Sequence, residues 1–322
     1  MIISGPAYIV KHYGTNQSAT FKSQSDIVVS FEKDTKERTA SHLGKFDEIL
    51  LAVRAEIKFT PIEWDNLSVL FPWNNYRLGQ SVFPDTDEKT EIYSADGKKY
   101  TFHRTALTAS PNIGAGVEKD LLGEATITAL VASGKNFSDT EAIFKSESGT
   151  FNPPDLDEDK IFSIPFTVVY GNITLAAEEG VDIELTPKLT ERKRDDIGLF
   201  NYLFGGLEAT AKFTPVDITE TQFNTLANPN GGVARGRSLR TLAKDLVIKG
   251  SEAGDPLLTL TKAVCAGTQT LTFGVEANRF GELEFRATST QYSTPKFKIA
   301  AVEAAEQTNT QNAKASTGAV SK

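Results

Sequence analysis

The chain has 322 residues, 39% of them hydrophobic and 24% charged, which leaves room for two ordinary domains and excludes a disordered chain. Its net charge is −8, with Asp+Glu 42 against Lys+Arg 34, a balance that argues against gripping nucleic acid through clustered cations. One cysteine, Cys265, excludes an internal disulfide and a thiolate-rich zinc site, while His12, His42 and His103 lie far apart with no carboxylate at helical metal spacing.

The opening residues, Met1-Ile2-Ile3-Ser4-Gly5-Pro6, carry neither a basic region nor a long apolar core, so no signal peptide is expected. No run approaches the roughly 18 apolar residues that span a bilayer. Together these features predict a chain kept in a cytosol until it is assembled. Ile27, Val29 and Phe31 alternate with polar neighbours, and Val53, Ala55, Ile57 and Phe59 alternate strictly with Arg54, Glu56 and Lys58. A period of two with one apolar face predicts strands buried on one side.

Thr60-Pro61-Ile62-Glu63 has the form of a capping box with proline at the first helical position. Trp64, Leu67, Leu70 and Phe71 follow at three- and four-residue steps and predict a short amphipathic helix. The stretch from Pro72 to Lys99, rich in Asn, Gly, Pro and Asp, predicts a long loop centred on Gly79-Gln80-Ser81. Gly114-Ala115-Gly116 reads as a turn, and Ala125, Ile127 and Ala129 as the apolar face of a late strand. The Pro- and acid-rich stretch 148–160 reads as a linker.

The chain then repeats itself. Lys58-Phe59-Thr60-Pro61 recurs as Lys212-Phe213-Thr214-Pro215, and the same separation pairs Ala55 with Ala209, Phe46 with Phe200, Gly44 with Gly198 and Glu37-Arg38 with Glu191-Arg192. Small changes in spacing pair Tyr13-Gly14 with Tyr170-Gly171, Gly79-Gln80-Ser81 with Gly236-Arg237-Ser238, and Gly123-Glu124 with Gly281-Glu282. Strand parity is kept, with Val181, Ile183 and Leu185, then Leu207, Ala209, Ala211 and Phe213, then Leu283, Phe285 and Ala287 on the apolar faces. Thr214-Pro215 precedes a second helical pattern through Thr219, Phe223 and Leu226, and a second long loop runs from Asn228 to Pro256.

These elements predict a mainly β protein of α+β units. Two tandem, similar β-sandwich or barrel-like domains, each with one short helix and a long loop, occupy 1–147 and 161–302. The linker covers 148–160, and residues 303–322 form a polar tail without apolar periodicity, expected to be flexible.

The stretch Gly231–Arg240 has the glycines of a phosphate cradle but lacks the lysine and Ser/Thr ending of a P-loop, and reads better as an interaction arm. No nucleophile elbow, metal-ligand cluster or dinucleotide fingerprint is present, so neither an enzyme nor a cofactor is expected.

A tandem β domain with one helix, a long central loop and an acidic balance resembles the phage tail tube protein family. That family includes the major tail proteins of long-tailed phages and the related tube protein of type VI secretion systems. The resemblance covers roughly Pro6 to Ala301 and rests on this architecture and the repeated Lys-Phe-Thr-Pro, Gly-Glu and Gly-X-Ser anchors. It implies a virion protein assembled in the host cytoplasm, in its duplicated version a homotrimeric ring with pseudo-sixfold symmetry that stacks into a tube. It further implies tape measure and tail terminator proteins as partners, passage of DNA without specific binding, and no membrane contact.

With apolar faces packed inward, the polar strand faces would line the channel. They hold Glu32, Glu56, Glu124, Asp182, Glu184, Glu208, Glu282 and Glu284 against Arg54, Lys58, Lys212 and Arg286, eight acids to four bases. A net-negative bore repels phosphates and lets a genome slide; the same residues would equally suit solvated faces of a half-exposed sheet. Arg77, Asp85 and Asp87 in the first loop and Arg235, Arg237 and Arg240 in the second are candidates for contacts between stacked rings. Two other readings remain open on the residues alone. One is a different virion component, such as a tail adaptor or capsid decoration protein; the other is a ligand-binding or enzymatic β protein with a cleft between the halves.

Overall fold

A computed structural model describes all residues except 1–5, 15, 64–65, 85–86, 117–121, 137, 157–164, 195–197, 217, 228–237, 253, 267–269, 274–277, 289–294 and 302–322. Trp64, Asp85, Arg235, Arg237 and the expected tail therefore lie outside the described residues, as does most of the second half of the expected linker.

The first run of strands is β1 (Ala7–Tyr13), β2 (Gln17–Lys22), β3 (Val28–Ala40) and β4 (Gly44–Phe59), followed by helix α1 (Leu67–Leu70) and a 3-10 turn at Pro72–Asn75. It continues with β5 (Thr90–Ser94), β6 (Lys98–Phe102), β7 (Arg104–Ala109), β8 (Ile113–Ala115), β9 (Ala125–Leu130) and β10 (Phe144–Ser148). The second run repeats the order: β11 (Phe166–Tyr170), β12 (Ile173–Ala177), β13 (Val181–Arg194), β14 (Gly198–Phe213) and β15 (Pro215–Val216). Helix α2 (Glu220–Ala227) and a 3-10 turn at Leu239–Leu242 follow. Then come β16 (Lys244–Gly250), β17 (Pro256–Ala266), β18 (Leu271–Phe273), β19 (Asn278–Phe280), β20 (Leu283–Ala287) and β21 (Phe297–Ala301). The protein is mainly β, with antiparallel sheets and two α-helices among the described residues.

Two compact units divide the chain. The first holds Met1–Asn112, Leu122–Ile161 and Thr186–Leu207; the second holds Ile113–Leu121, Phe162–Leu185 and Glu208–Lys322. The linker read from sequence at 148–160 thus falls near one of several crossings between the units. A physical reason lies in strand length: β14 has 16 residues, and at about 3.3 Å per residue it runs on the order of 50 Å, longer than one small sandwich can pair.

In the first unit, a five-stranded sheet in the order β10-β6-β5-β1-β2 faces a four-stranded sheet in the order β3-β4-β9-β7. Aromatic rings join the layers: Phe21 lies 5.7 Å from Phe59, and Phe31 lies 5.2 Å from Phe144. Ile9, Ile57, Phe59, Ile92, Phe102 and Ile127 fill the space between and are fully buried. On β4 the predicted alternation holds from Ala55 to Phe59 and then breaks towards the turn. There Asp34 pairs with Ala52 but Thr35 with Leu50, a β-bulge at Leu51, and the order of facing side chains changes.

A further sheet path, β15-β12-β11-β16-β17-β20-β14-β13-β8, is ten-stranded with β21, which pairs with β17; it belongs to the second unit except for the parts of β13 and β14 within 186–207. β17 alone covers what β6 and β7 share in the first run: it pairs with β16 on one stretch and β20 on another. The first run breaks between these strands at His103, whereas β17 passes through a bend at Lys262, whose φ is 49°. Tyr170 packs 5.0 Å from Phe285, and its hydroxyl lies within hydrogen-bond distance of the carbonyls of Leu242 and Ala263, at 3.2 and 3.1 Å.

Three local expectations change. The predicted capping box at Thr60 does not form: the Gln24 amide donates to the Thr60 carbonyl and the Ile62 amide to Lys22, extending the antiparallel pairing. Glu63 is spent on Lys22 at 2.8 Å, and α1 begins only after Asn66 with no side-chain cap. A capping box forms instead at Thr219-Glu220-Thr221-Gln222. There Thr219 Oγ1 accepts from the Gln222 amide at 3.2 Å, and Gln222 Oε1 accepts from the Thr219 amide at 2.9 Å.

The loop expected from Pro72 to Lys99 contains β5, which makes a tight hairpin with β6. Thr90 and Ile92 are fully buried there, so core packing overrides the loop-like composition on either side. Lastly, Gly114-Ala115 is not a turn but part of β8, which pairs with Val181–Ile183 on β13. The glycines permit a close backbone crossing: a Cβ on Gly180 would lie 2.3 Å from the Ala115 carbonyl oxygen, and one on Gly116 would lie 2.9 Å from the Gly180 Cα.

Candidate functional site

On β4, Ala55, Ile57 and Phe59 enter the core, which leaves Arg54, Glu56 and Lys58 on the opposite face. Arg54 gathers the acids around it. Its guanidinium lies 2.5 Å from Glu32, 3.6 Å from Glu56 and 3.0 Å from Glu191, and Nη1 donates to the Tyr202 hydroxyl at 3.4 Å. Burial opposes the Arg54 charge, but the neighbouring Tyr202 and the carboxylates of Glu32 and Glu191 outweigh it and raise its pKa. Lys58 lies 3.6 Å from Glu124. Glu32, Arg54, Glu56 and Lys58 share the four-stranded sheet, where Glu32 is registered with Arg54, and Glu56 and Lys58 with Thr128 and Thr126, while Glu191 and Tyr202 come from β13 and β14.

In the second unit, Lys212 is registered with Glu284, and Arg286 donates to Glu284 at 2.6 Å. Asp182, Glu184, Glu208 and Glu282 are exposed. Glu284, and then Glu208 at longer range, raise the Arg286 pKa. Every one of the eight acidic candidates is described; six lie on strands, and Glu124 and Glu282 lie just before β9 and β20. Arg54, Lys58 and Arg286 are ion-paired locally, and the acids still outnumber the bases eight to four. Such faces supply fixed negative potential.

The loop candidates behave differently from one another. Arg77 is exposed. Asp87 accepts from the Ser133 amide and hydroxyl at 2.8 and 2.6 Å and lies 3.5 Å from Arg104, so it braces the neighbouring turn. The Arg240 amide donates to Ser238 Oγ at 3.2 Å, while its residue is exposed on the 3-10 turn. Asp85, Arg235 and Arg237 lie outside the described residues.

The Gly-X-Ser centre of the first loop has a partner within its own unit. Gly79 and Val82 donate to the carbonyls of Phe204 and Tyr202 at 2.8 and 2.9 Å, and Phe204 donates to Gln80 at 2.9 Å. Ser81 forms an isolated β-bridge with Leu203. Phe204 stacks on Trp73 at 6.0 Å, and Tyr202 stacks on Phe83 at the same distance. The distal β13–β14 hairpin is therefore seated on this loop by backbone pairing and by aromatic burial.

A second cluster was not foreseen from the sequence. A cleft of about 490 Å³ in the first unit is lined in part by Lys11, Tyr76 and Glu88. Lys11 is buried, and its ammonium donates to Glu88 at 3.0 Å, to the His12 carbonyl at 2.9 Å and to the carbonyl and hydroxyl of Thr105 at 3.2 Å. Burial lowers its pKa against the opposing pull of Glu88. With its donors fully engaged, this lysine is a strut and not a nucleophile.

Nearby, Glu91 is buried yet accepts from Lys89 at 2.9 Å, Tyr93 at 3.1 Å and the His12 ring at 3.0 Å. Burial pushes its carboxyl up, but those hydrogen bonds prevail and hold its pKa at about 2. The available signal was a lysine and a glutamate set inside otherwise buried strands. Among the described residues, no group of three or more His, Cys, Asp or Glu side chains converges as a metal site. Compared with known proteins, the chain matches no family model and no curated protein.

Proposed function

We propose that this protein is a structural subunit of a phage tail tube. Three chains close a ring of six similar positions, rings stack, and the acidic strand faces border a channel that conducts DNA. The observation that carries this reading is the strand-by-strand repeat. The hairpins β3–β4 and β13–β14 are 13 and 16, then 14 and 16 residues long. Both turn on a glycine at matched φ, 69° at Gly44 and 67° at Gly198.

Two similar units in one chain give a head-to-tail contact two chances per subunit, and such a heterologous contact closes a ring when its rotation is right. The eight acids against four bases on the polar faces suit a bore past which phosphates slide without adhering. The resemblance to tail tube proteins adds tape measure and tail terminator proteins as partners. Electron microscopy of the purified, concentrated protein tests the reading: stacked rings with a central channel are expected. Single rings would instead favour an adaptor, and a permanent monomer would reject assembly altogether.

A further inference from the structure

The two long hairpins are sequence counterparts with different surroundings. Residues 186–207 of the second hairpin belong to the first unit and are seated on the Gly79–Phe83 loop. The corresponding part of the first hairpin carries Leu43, Phe46, Leu50 and Leu51, all exposed. Phe204, the counterpart of Leu50, is 5% exposed, whereas Leu50 itself is 46% exposed.

The receiving loop shows the same contrast. Val82, next to Ser81, is 1% exposed beneath the second hairpin; its counterpart Leu239, next to Ser238, is 47% exposed. An apolar hairpin tip and an apolar loop are thus both uncovered, and each corresponds to one half of a contact that the chain already makes once. We infer that the β3–β4 hairpin tip of one chain docks on the Ser238–Leu242 turn of a second copy, repeating the contact of the β13–β14 hairpin with Gly79–Phe83. This rests on the self-assembly in the proposed function for its occupant, and it names the surfaces that meet.

The repeat fixes the register. Ile49 is the counterpart of Leu203 and Ser238 that of Ser81, so the Leu203–Ser81 bridge becomes an Ile49–Ser238 bridge between chains. Leu239 then donates its amide to the Glu48 carbonyl, as Val82 does to Tyr202. The side chains change in a complementary way. Tyr202 stacked on Phe83 becomes Glu48 beside Arg240, an ion pair in place of an aromatic pair. Glu48 lies 3.6 Å from Lys45 and takes a hydrogen bond from Thr35, and both partners sit on the same exposed hairpin and can reorient with it.

The test mixes two variants, one carrying Ile49→Cys and the other Ser238→Cys, each keeping Cys265, under mild oxidation. Bridge partners lie within the Cα separation of about 4.4–6.8 Å that a disulfide requires. The expected product is a mixed dimer whose peptide map shows residue 49 joined to residue 238, absent when either variant is mixed with the parent chain. In parallel, Glu48→Arg should weaken association by about 10- to 100-fold in sedimentation, and adding Arg240→Glu should recover it. Rings in the microscope without the 49–238 linkage would overturn this docking while leaving the ring reading intact. Absence of both linkage and association at any concentration would overturn both. Failure of the double charge reversal to recover association would remove the Glu48–Arg240 contact.

Discussion

Asn201 donates from Nδ2 to Ser81 Oγ at 2.6 Å while its Oδ1 accepts from the amides of Tyr202 and Phe83 at 2.7 and 3.4 Å. One buried side chain thus satisfies both partners at the seat of the β13–β14 hairpin. Asn201→Leu keeps the bulk but strands these donors and acceptors, and should cost about 1–3 kcal/mol in urea unfolding. Asn201→Asp keeps the acceptor and loses the donor, and should fall between the two. A cost near zero for Asn201→Leu would mean that the hairpin is not seated as described.

Acid sensitivity should trace to Glu91. Its folded pKa of about 2 lies below the ordinary carboxylate value, so its contribution is complete above about pH 4.3 and is lost as pH falls towards 2. Thermal unfolding followed from pH 7 to pH 2.5 should show a falling midpoint over that window. Glu91→Gln should lower the midpoint at pH 7 and flatten the acid slope. An unchanged slope in the variant would place the acid-sensitive group elsewhere.

Two glycines with positive φ should respond differently to alanine. Gly44 has open space around its Cβ position, so Gly44→Ala should cost only the left-handed backbone penalty, about 1–2 kcal/mol. At Gly180 the same substitution also drives a Cβ to 2.3 Å from the Ala115 carbonyl oxygen and should separate β8 from β13. A larger loss for Gly180→Ala than for Gly44→Ala in denaturant unfolding is expected, and hydrogen exchange should quicken at Ile113 and Ala115. Equal losses would contradict the close crossing.

Helix capping gives a local check. Thr219→Ala removes the acceptor for the Gln222 amide and should cost about 1 kcal/mol. Thr60→Ala, at the motif that does not cap α1, should cost less than about 0.5 kcal/mol. The reverse order in chemical denaturation would restore the helix start expected at Thr60.

The strand faces were legible because period-two alternation reports burial directly: Ala55, Ile57 and Phe59, and again Ala209, Ala211 and Phe213, are core positions as read. The repeat was legible because its anchors hold their spacing through the long hairpins. The first helix start was misread because Thr60-Pro61-Ile62-Glu63 satisfies the local rule, while Glu63 is claimed by Lys22 from a strand far away in sequence. The membership of residues 113–121 and 186–207 was hidden for a related reason. A hairpin's own pattern does not say which surface its distal half will cover. Lys11 and Glu88 belong to the same class, since their pairing spans a separation that no local motif records.

Electron microscopy of concentrated protein, with rotational averaging of end-on views, reads assembly into a channel-bearing tube directly. Stacked rings around an open centre are expected, sixfold in outline and threefold in detail because the two halves of each chain differ. A protein that stays monomeric at every concentration, or rings with a symmetry that three chains cannot generate, would contradict it.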